Sequence, residues 1–166
     1  MKINGKSRWT SQQVDIPENL ERGGRLQILL TPLSVKSRSK VAVDDVSFVD
    51  CTASKLVFDC DFDNNDFNGG FCHWKDNPKG GLNWMVTNLG KTRGGVPTAD
   101  HTTGTGSYAL YNSSEADKSK YATLQSPRMS PTDTSGVCFS FWYYPYQGKT
   151  NLLILLLPSS TNHTGS

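Results

Sequence analysis

The residues with the clearest potential for chemistry are a tripeptide, Asp100-His101-Thr102, and the polar run that follows it. An aspartate beside a histidine could take part in acid–base catalysis. Adjacent residues of a strand or turn point in different directions, however, so Asp100 and His101 do not make a dyad by themselves. The chain has no Gly-x-Ser-x-Gly elbow, and residues 102–106 lack the lysine and spacing of a phosphate-binding loop. We therefore predict a hydrogen-bonded turn before a strand, and no catalytic residue.

Aspartates are concentrated in two short stretches of the chain. Asp59, Asp61, Asp63 and Asp66 lie close together, and a second pair occupies positions 44–45. Carboxylate oxygens in such numbers suit Ca²⁺, although the spacing of an EF-hand loop is absent. The alternative is a set of solvated carboxylates at strand ends and turns.

Three tryptophans could line a sugar-binding face, because carbohydrate modules use exposed aromatic rings. They are Trp74, Trp84 and Trp142. The alternative is that they fill a core, where large aromatic side chains are usually found. Trp142 lies in a strongly apolar segment and is predicted to be a core residue.

The four cysteines are better explained by disulfides than by zinc. They are Cys51, Cys60, Cys72 and Cys138. The count is even and there is no C-x-x-C pair, while the histidines are not spaced for tetrahedral ligation.

Composition and charge restrict the class of protein. Hydrophobic residues make up 36% of the chain and charged residues 19%, values that favour short strands joined by turns. The formal net charge is +2 and no basic stripe is visible, so nucleic acid is not an expected partner.

The longest apolar run covers only residues 152–157, far short of the roughly 20 residues that span a bilayer. No apolar leader is visible either, so we expect a piece of a longer secreted or membrane-anchored protein.

Most apolar segments have the length and composition of strands. Turn clusters rich in Gly, Asn, Asp and Thr separate them, which predicts an all-β sandwich. The predicted strands are 26–30, 41–49, 56–62, 107–111, 121–125, 137–144 and 151–157.

Several of these segments resemble the MAM domain family, and they occur in the family's order. The resemblance includes a cysteine-rich opening, a Gly-x-Gly-x-Tyr string and a Cys-x-x-x-Trp-Tyr strand. The matching pieces are 60–63, 70–74, 83–84, 97–108, 122–127 and 138–143.

The resemblance implies a particular domain organisation. Residues 1–51 resemble the C-terminal part of a preceding MAM module, residues 52–56 a linker, and residues 57–166 the N-terminal part of a second module. The expected fold is all-β, a two-sheet antiparallel jelly-roll-like sandwich. The two parts could be incomplete domains cut from a tandem array, or they could complement each other in circularly permuted order.

The resemblance also implies two disulfides and, in the permuted order, a cation site. The short-range bridge would be Cys60–Cys72, and the long-range one would join Cys138 to Cys51. A structural Ca²⁺ would be held by Asp63 and Asp45, where the first and last strands of the sandwich meet; no other cofactor is expected.

The function implied by the resemblance is non-catalytic recognition outside the cell. Expected partners are other cell-surface or matrix proteins, including a second copy of the same protein, and this segment would not insert into a membrane. The expected location is extracellular, or the ectodomain of a membrane protein. Asn112 and Asn162 begin sequons and are expected to be glycosylated. A carbohydrate-binding module is the alternative function.

Overall fold

The computed structural model describes residues 2–3, 8–16, 25–34, 40–50, 56–63, 69–79, 81–88, 96–113, 121–129, 136–145 and 150–159. Within these ranges the chain forms strands and turns. The strands are β1 (Lys2–Ile3), β2 (Thr10–Ile16), β3 (Arg25–Ser34), β4 (Lys40–Asp50), β5 (Leu56–Cys60), β6 (Lys75–Lys79), β7 (Trp84–Thr87), β8 (Tyr108–Asn112), β9 (Tyr121–Gln125), β10 (Val137–Pro145) and β11 (Thr150–Ser159).

The strands form two antiparallel sheets that pack face to face. The first sheet, called sheet A, has the order β1-β11-β3-β9-β6. The second, sheet B, has the order β2-β10-β4-β8-β7, and β5 pairs with another part of β4. The predicted all-β, two-sheet sandwich of jelly-roll type is confirmed.

Alternation of side chains along each strand supplies the core between the sheets. In β10, Phe139, Phe141 and Tyr143 are buried, and in β11 Leu152 and Ile154 are buried. They meet inward-facing residues of the other strands in one cluster. The rings of Phe48 and Phe139, two members of this cluster, stack with their centroids 4.8 Å apart. Apolar side chains recur at every second residue in these strands, and this repeat, visible in the sequence, decides which face of each strand is buried.

Strands from both parts of the chain alternate within each sheet. In sheet B, β2 and β4 lie on either side of β10, and β4 in turn pairs with β8. In sheet A, β3 lies between β11 and β9. The sandwich therefore depends on contacts between residues that are about a hundred positions apart in the chain.

Two local predictions were wrong. No strand was predicted between residues 62 and 107, but Lys75–Lys79 form β6, at the edge of sheet A. Pro78 fits there because an edge strand tolerates a residue without an N–H. Trp142 is not in the core between the sheets: it is half-buried and lies on the outer face of sheet B, whereas Trp74 and Trp84 are fully buried.

The described residues include no helix that is long and apolar enough to cross a membrane.

Candidate functional site

A segment of irregular backbone, residues 96–107, covers one end of the outer face of sheet B. Val96 and Tyr108 pack there with Ala42 and Leu110 in a small second core, and Trp9 packs against it. The Tyr108 hydroxyl donates a hydrogen bond to the Pro97 carbonyl at 2.7 Å. We call residues 96–107 the cover loop. These contacts place it over β4 and β8.

An irregularity in β4 directs two aspartates towards the cover loop. The register between β4 and β10 shifts between Ser140 and Trp142, so that β4 carries one extra residue. Asp45 lies at this bulge with a φ of 47°, a left-handed value that aspartate tolerates better than most residues. Bulges of this kind often re-aim side chains, and here they bring Asp44 and Asp45 to His101.

Asp44 is the most deeply buried carboxyl group of the described residues, at 1% exposure. Its Oδ2 accepts a hydrogen bond from the His101 backbone N–H at 2.8 Å. Burial, together with the nearby charges of Asp45 and Asp100, raises the pKa of Asp44 to about 8, despite the lowering effect of the backbone hydrogen bonds. A proton or a cation would therefore be favoured at this position near neutral pH.

His101 is held between Asp45 and Trp142. Its Nδ1 lies 2.8 Å from Asp45 Oδ2, and its ring stacks on Trp142 with centroids 3.6 Å apart. The hydroxyl of Thr102 contacts the same carboxylate and lies 3.4 Å from the same Nδ1. A catalytic triad needs the acid and the nucleophile on opposite ring nitrogens, so this arrangement fixes the loop and does not resemble a triad.

Asp100 organises the turn that the sequence predicts before β8. Its Oδ2 accepts hydrogen bonds from the backbone N–H groups of Thr102 and Thr103, and its Oδ1 from that of Gly106. Burial alone would raise the pKa of Asp100, but these hydrogen bonds to the ionised form outweigh it and lower the pKa. The carboxylate thus acts as a structural acceptor.

Asp63 anchors the far end of the cover loop. Its Oδ1 accepts a hydrogen bond from the Ser107 backbone N–H, and its own N–H donates to Asp61 Oδ1 at 3.0 Å. A Cβ atom at Gly106 would overlap the Asp63 carboxylate. Any other residue at position 106 would have to displace the Asp63 carboxylate from the loop.

The predicted metal ligands, Asp45 and Asp63, contact the same loop at different points. Within the described ranges, no three His, Cys, Asp or Glu side chains come close enough together to hold a metal ion. Carboxylates of Asp44, Asp45, Asp63 and Asp100 all accept hydrogen bonds from residues 101–107. A calcium ion here would have to complete its coordination with backbone carbonyls and water, which Ca²⁺ readily accepts.

The short-range disulfide is present as predicted. Cys60 and Cys72 are bonded, with Cα atoms 6.1 Å apart. Cys138 also takes part in a disulfide. Its predicted partner, Cys51, lies outside the described residues. The neighbouring pairs Val137–Asp50 and Cys138–Val49 are in register between β10 and β4.

Of the two predicted glycosylation sites, one lies within the described residues. Asn112 ends β8 and is exposed, while Asn162 lies outside the described residues.

The tryptophans proposed for sugar binding are placed differently from one another. Trp74 is 0% and Trp84 1% exposed, and the Trp84 indole donates to the Ala122 carbonyl. Neither can offer a ring to a ligand. Only Trp142 lies on an outer face, and one side of its ring is covered by His101.

A groove on the outer face of sheet B is a feature that the sequence does not predict. It has a volume of about 280 Å³ and lies next to Trp142, with carboxylates and serines of four strands and Asp61 in its wall. Alternation places these polar residues outward, but only the pairing of β2, β10, β4 and β5 brings them together. No local sequence signal could have identified it.

Comparison with known proteins identifies relatives for much of the chain. Residues 60–166 match the family described as MAM domain, meprin/A5/mu. The chain is also 36% identical to Neuropilin-1a of Danio rerio over 93 residues, which is 55% of this chain and 10% of the relative. No solved structure matches the chain. The family match covers well over half of the sequence, and the chain belongs to the MAM domain family.

Proposed function

We propose that the chain is an extracellular, non-catalytic recognition module that mediates protein–protein interaction or cell adhesion. The observation that carries this proposal is the MAM family match over residues 60–166. The chain spans about a tenth of the length of its Neuropilin-1a relative.

The carbohydrate alternative has less support than protein recognition. It required exposed aromatic rings at Trp74 and Trp84, and both are core residues. Protein partners remain the class proposed for this module, and they include a second copy of the chain.

The proposal is tested with beads that carry the purified chain and are mixed with each other and with cells. We expect binding that disappears when the partner surface is treated with protease and survives treatment with glycosidases. Binding that survives protease but is lost after glycosidase treatment would favour the carbohydrate alternative. If the beads bind neither cells nor each other, the recognition role is contradicted.

We further propose that residues 1–51 correspond to the closing part of one MAM module and residues 57–166 to the opening part of another, joined by the linker 52–56. The alternation of β2 and β4 with β10 and β8 supports the idea that the parts complement each other. Residues 57–166 alone should lack a cooperative thermal transition and regain it when residues 1–51 are added. A cooperative transition of equal midpoint without residues 1–51 would contradict complementation.

A structural Ca²⁺ at Asp45 and Asp63 is also part of the proposal. Supporting it are the carboxylates around residues 101–107 and the repulsion between the buried Asp44 and the nearby charges of Asp45 and Asp100. Calcium should raise the melting temperature of the chain, and the rise should be smaller in Asp63→Asn but unchanged in Asp15→Asn. Absence of any shift at millimolar calcium would exclude the site.

N-linked glycosylation is proposed for the two sequons, with Asn112 supported by its exposure. Expressed in a secreting mammalian cell, the chain should lose mass on treatment with peptide N-glycosidase. Asn112→Gln should remove part of that loss; an unchanged loss would show that Asn112 is not modified.

A further inference from the structure

The groove on the outer face of sheet B is lined in part by serine and aspartate side chains that have no role in the core. Ser47 of β4 pairs with Asp59 of β5 on one side and with Ser140 of β10 on the other. Ser11 of β2 pairs with Trp142 one step further along β10. The resulting row of outward-facing residues forms the floor of a cavity of about 280 Å³.

The groove has a defined chemistry. Trp142 forms part of its wall and is held in place by the His101 ring stacked against it. Asp45, Asp59 and Asp61 contribute three carboxylates, and none of the described residues that line the groove is basic. The formal charge of the chain is +2, so the negative groove contrasts with the molecule as a whole.

Its size and shape exclude some ligands. The volume is below the roughly 300–1,000 Å³ of sites that enclose a drug-sized ligand, so it suits one long side chain. Among the described residues, no group of three ligating side chains converges on one point, in this groove or elsewhere. His101 covers one side of the Trp142 ring, so a ligand in the groove can meet that ring only on its other side or at its edge.

We propose that this groove binds an arginine side chain of a partner protein. A planar guanidinium has five N–H donors that match carboxylate and hydroxyl acceptors, and it packs favourably against an indole ring. Asp59 and Asp61 are exposed and the Asp45 carboxylate already contacts His101, so the first two supply most of the charge that an incoming arginine meets. The inference builds on the proposed recognition role, because it specifies the chemistry of the partner.

The test uses the intact chain and N-acetyl-arginine-N-methylamide as the probe, followed by amide and indole NMR shifts. Shifts at Ser47, Ser140 and Trp142 should saturate with the arginine probe and be absent with the citrulline analogue, which has nearly the same shape without the charge. Asp59→Asn should weaken binding about threefold to tenfold, the range expected for one partly exposed charged contact. Asp15→Asn removes an equal charge from the same sheet outside the groove and should leave binding unchanged.

Three results would each overturn the arginine site. They are equal shifts with citrulline, equal weakening of binding by Asp59→Asn and Asp15→Asn, and the absence of any shift. Thermal melts of both variants verify that the fold is retained.

The bead assay on the same preparations separates this inference from the recognition role. If the beads bind cells but the arginine probe does not bind, the arginine site is contradicted and the recognition role stands. If the probe binds but the beads bind neither cells nor each other, the recognition role is contradicted and the arginine site stands.

Discussion

At the scale of single residues, Asp44 is the position where burial and charge conflict most strongly. It is a carboxyl group at 1% exposure, next to Asp45 at the bulge of β4 and beneath the cover loop. Its pKa of about 8 lies far above the ordinary value of 3.8. The native chain therefore holds a proton there in a pH range where the unfolded chain has released it.

Stability should fall as pH rises between about 4 and 8 in metal-free buffer. In that range the native state binds one proton more than the unfolded state, so unfolding becomes easier by up to about 1.4 kcal/mol per pH unit. The contribution is complete below the unfolded pKa and is lost as pH passes the native one. Asp44→Asn, which cannot ionise, should flatten this dependence. Urea unfolding at several pH values measures the free energy of unfolding of the original chain and of Asp44→Asn. If this free energy changes with pH by the same amount in the two proteins, the raised pKa of Asp44 is contradicted.

Gly106 is the position where space, rather than charge, restricts the residue. Gly106→Ala should lower the free energy of unfolding by about 1–3 kcal/mol, the usual cost of forcing an atom into an occupied volume. The carboxylate that would be displaced belongs to Asp63. In an Asp63→Ala background the same substitution should therefore cost less. Additive losses in the double variant, measured by urea unfolding, would show that Asp63 does not restrict Gly106.

At the scale of elements, β10 shows how one strand serves two purposes. Its inward residues fill the core, while Ser140 and Trp142 face the groove and the cover loop. Phe141 and Trp142 are neighbours in sequence but lie on opposite faces of sheet B. Replacing each of the two in turn therefore measures how much each face contributes to the free energy of unfolding.

Phe141→Ala should destabilise the chain by about 3–5 kcal/mol, as expected for a large ring removed from a core. Trp142→Ala removes a larger side chain, but from the half-buried outer face, so its cost should be smaller. It should also free His101, which the loss of the upfield ring-current shift of the His101 protons would report. A cost for Trp142→Ala equal to or above that for Phe141→Ala would place Trp142 in the core after all.

The elements that could be predicted from sequence are those whose pattern is local. Segments 41–49 and 137–144 alternate apolar and polar or are rich in β-branched and aromatic residues, and they match β4 and β10. β6 was missed because Asp76, Asn77 and Pro78 are typical of turns, and only its edge position permits a strand. Trp142 was assigned to the core because the cover loop, which half-buries it from outside, is distant in sequence.

At the scale of the whole molecule, the sandwich depends on both parts of the chain. β3 occupies the middle of sheet A and β4 the middle of sheet B, and both precede residue 51. The Cys60–Cys72 bridge adds a link from β5 in sheet B to the residues just before β6 in sheet A. Without β3 and β4, the remaining strands would expose unpaired edges and an open core.

The candidate site could be predicted less fully than the fold, for a physical reason. The sequence identified the acidic residues and the turn at 100–107, because aspartate and glycine have strong local preferences. The bulge that brings Asp45 to His101 and the alignment of Ser47, Asp59 and Ser140 arise from register between distant strands. Such register is not encoded in any one segment.

Disulfide mapping of the non-reduced chain tests the central claim, that both parts build one sandwich, most directly. Cys138 lies in register with Val49, two residues before Cys51, so a peptide linking Cys51 to Cys138 is expected beside the one linking Cys60 to Cys72. Both links should occur in the monomer. Recovery of Cys51 as a free thiol, or joined to a second chain, would contradict the account.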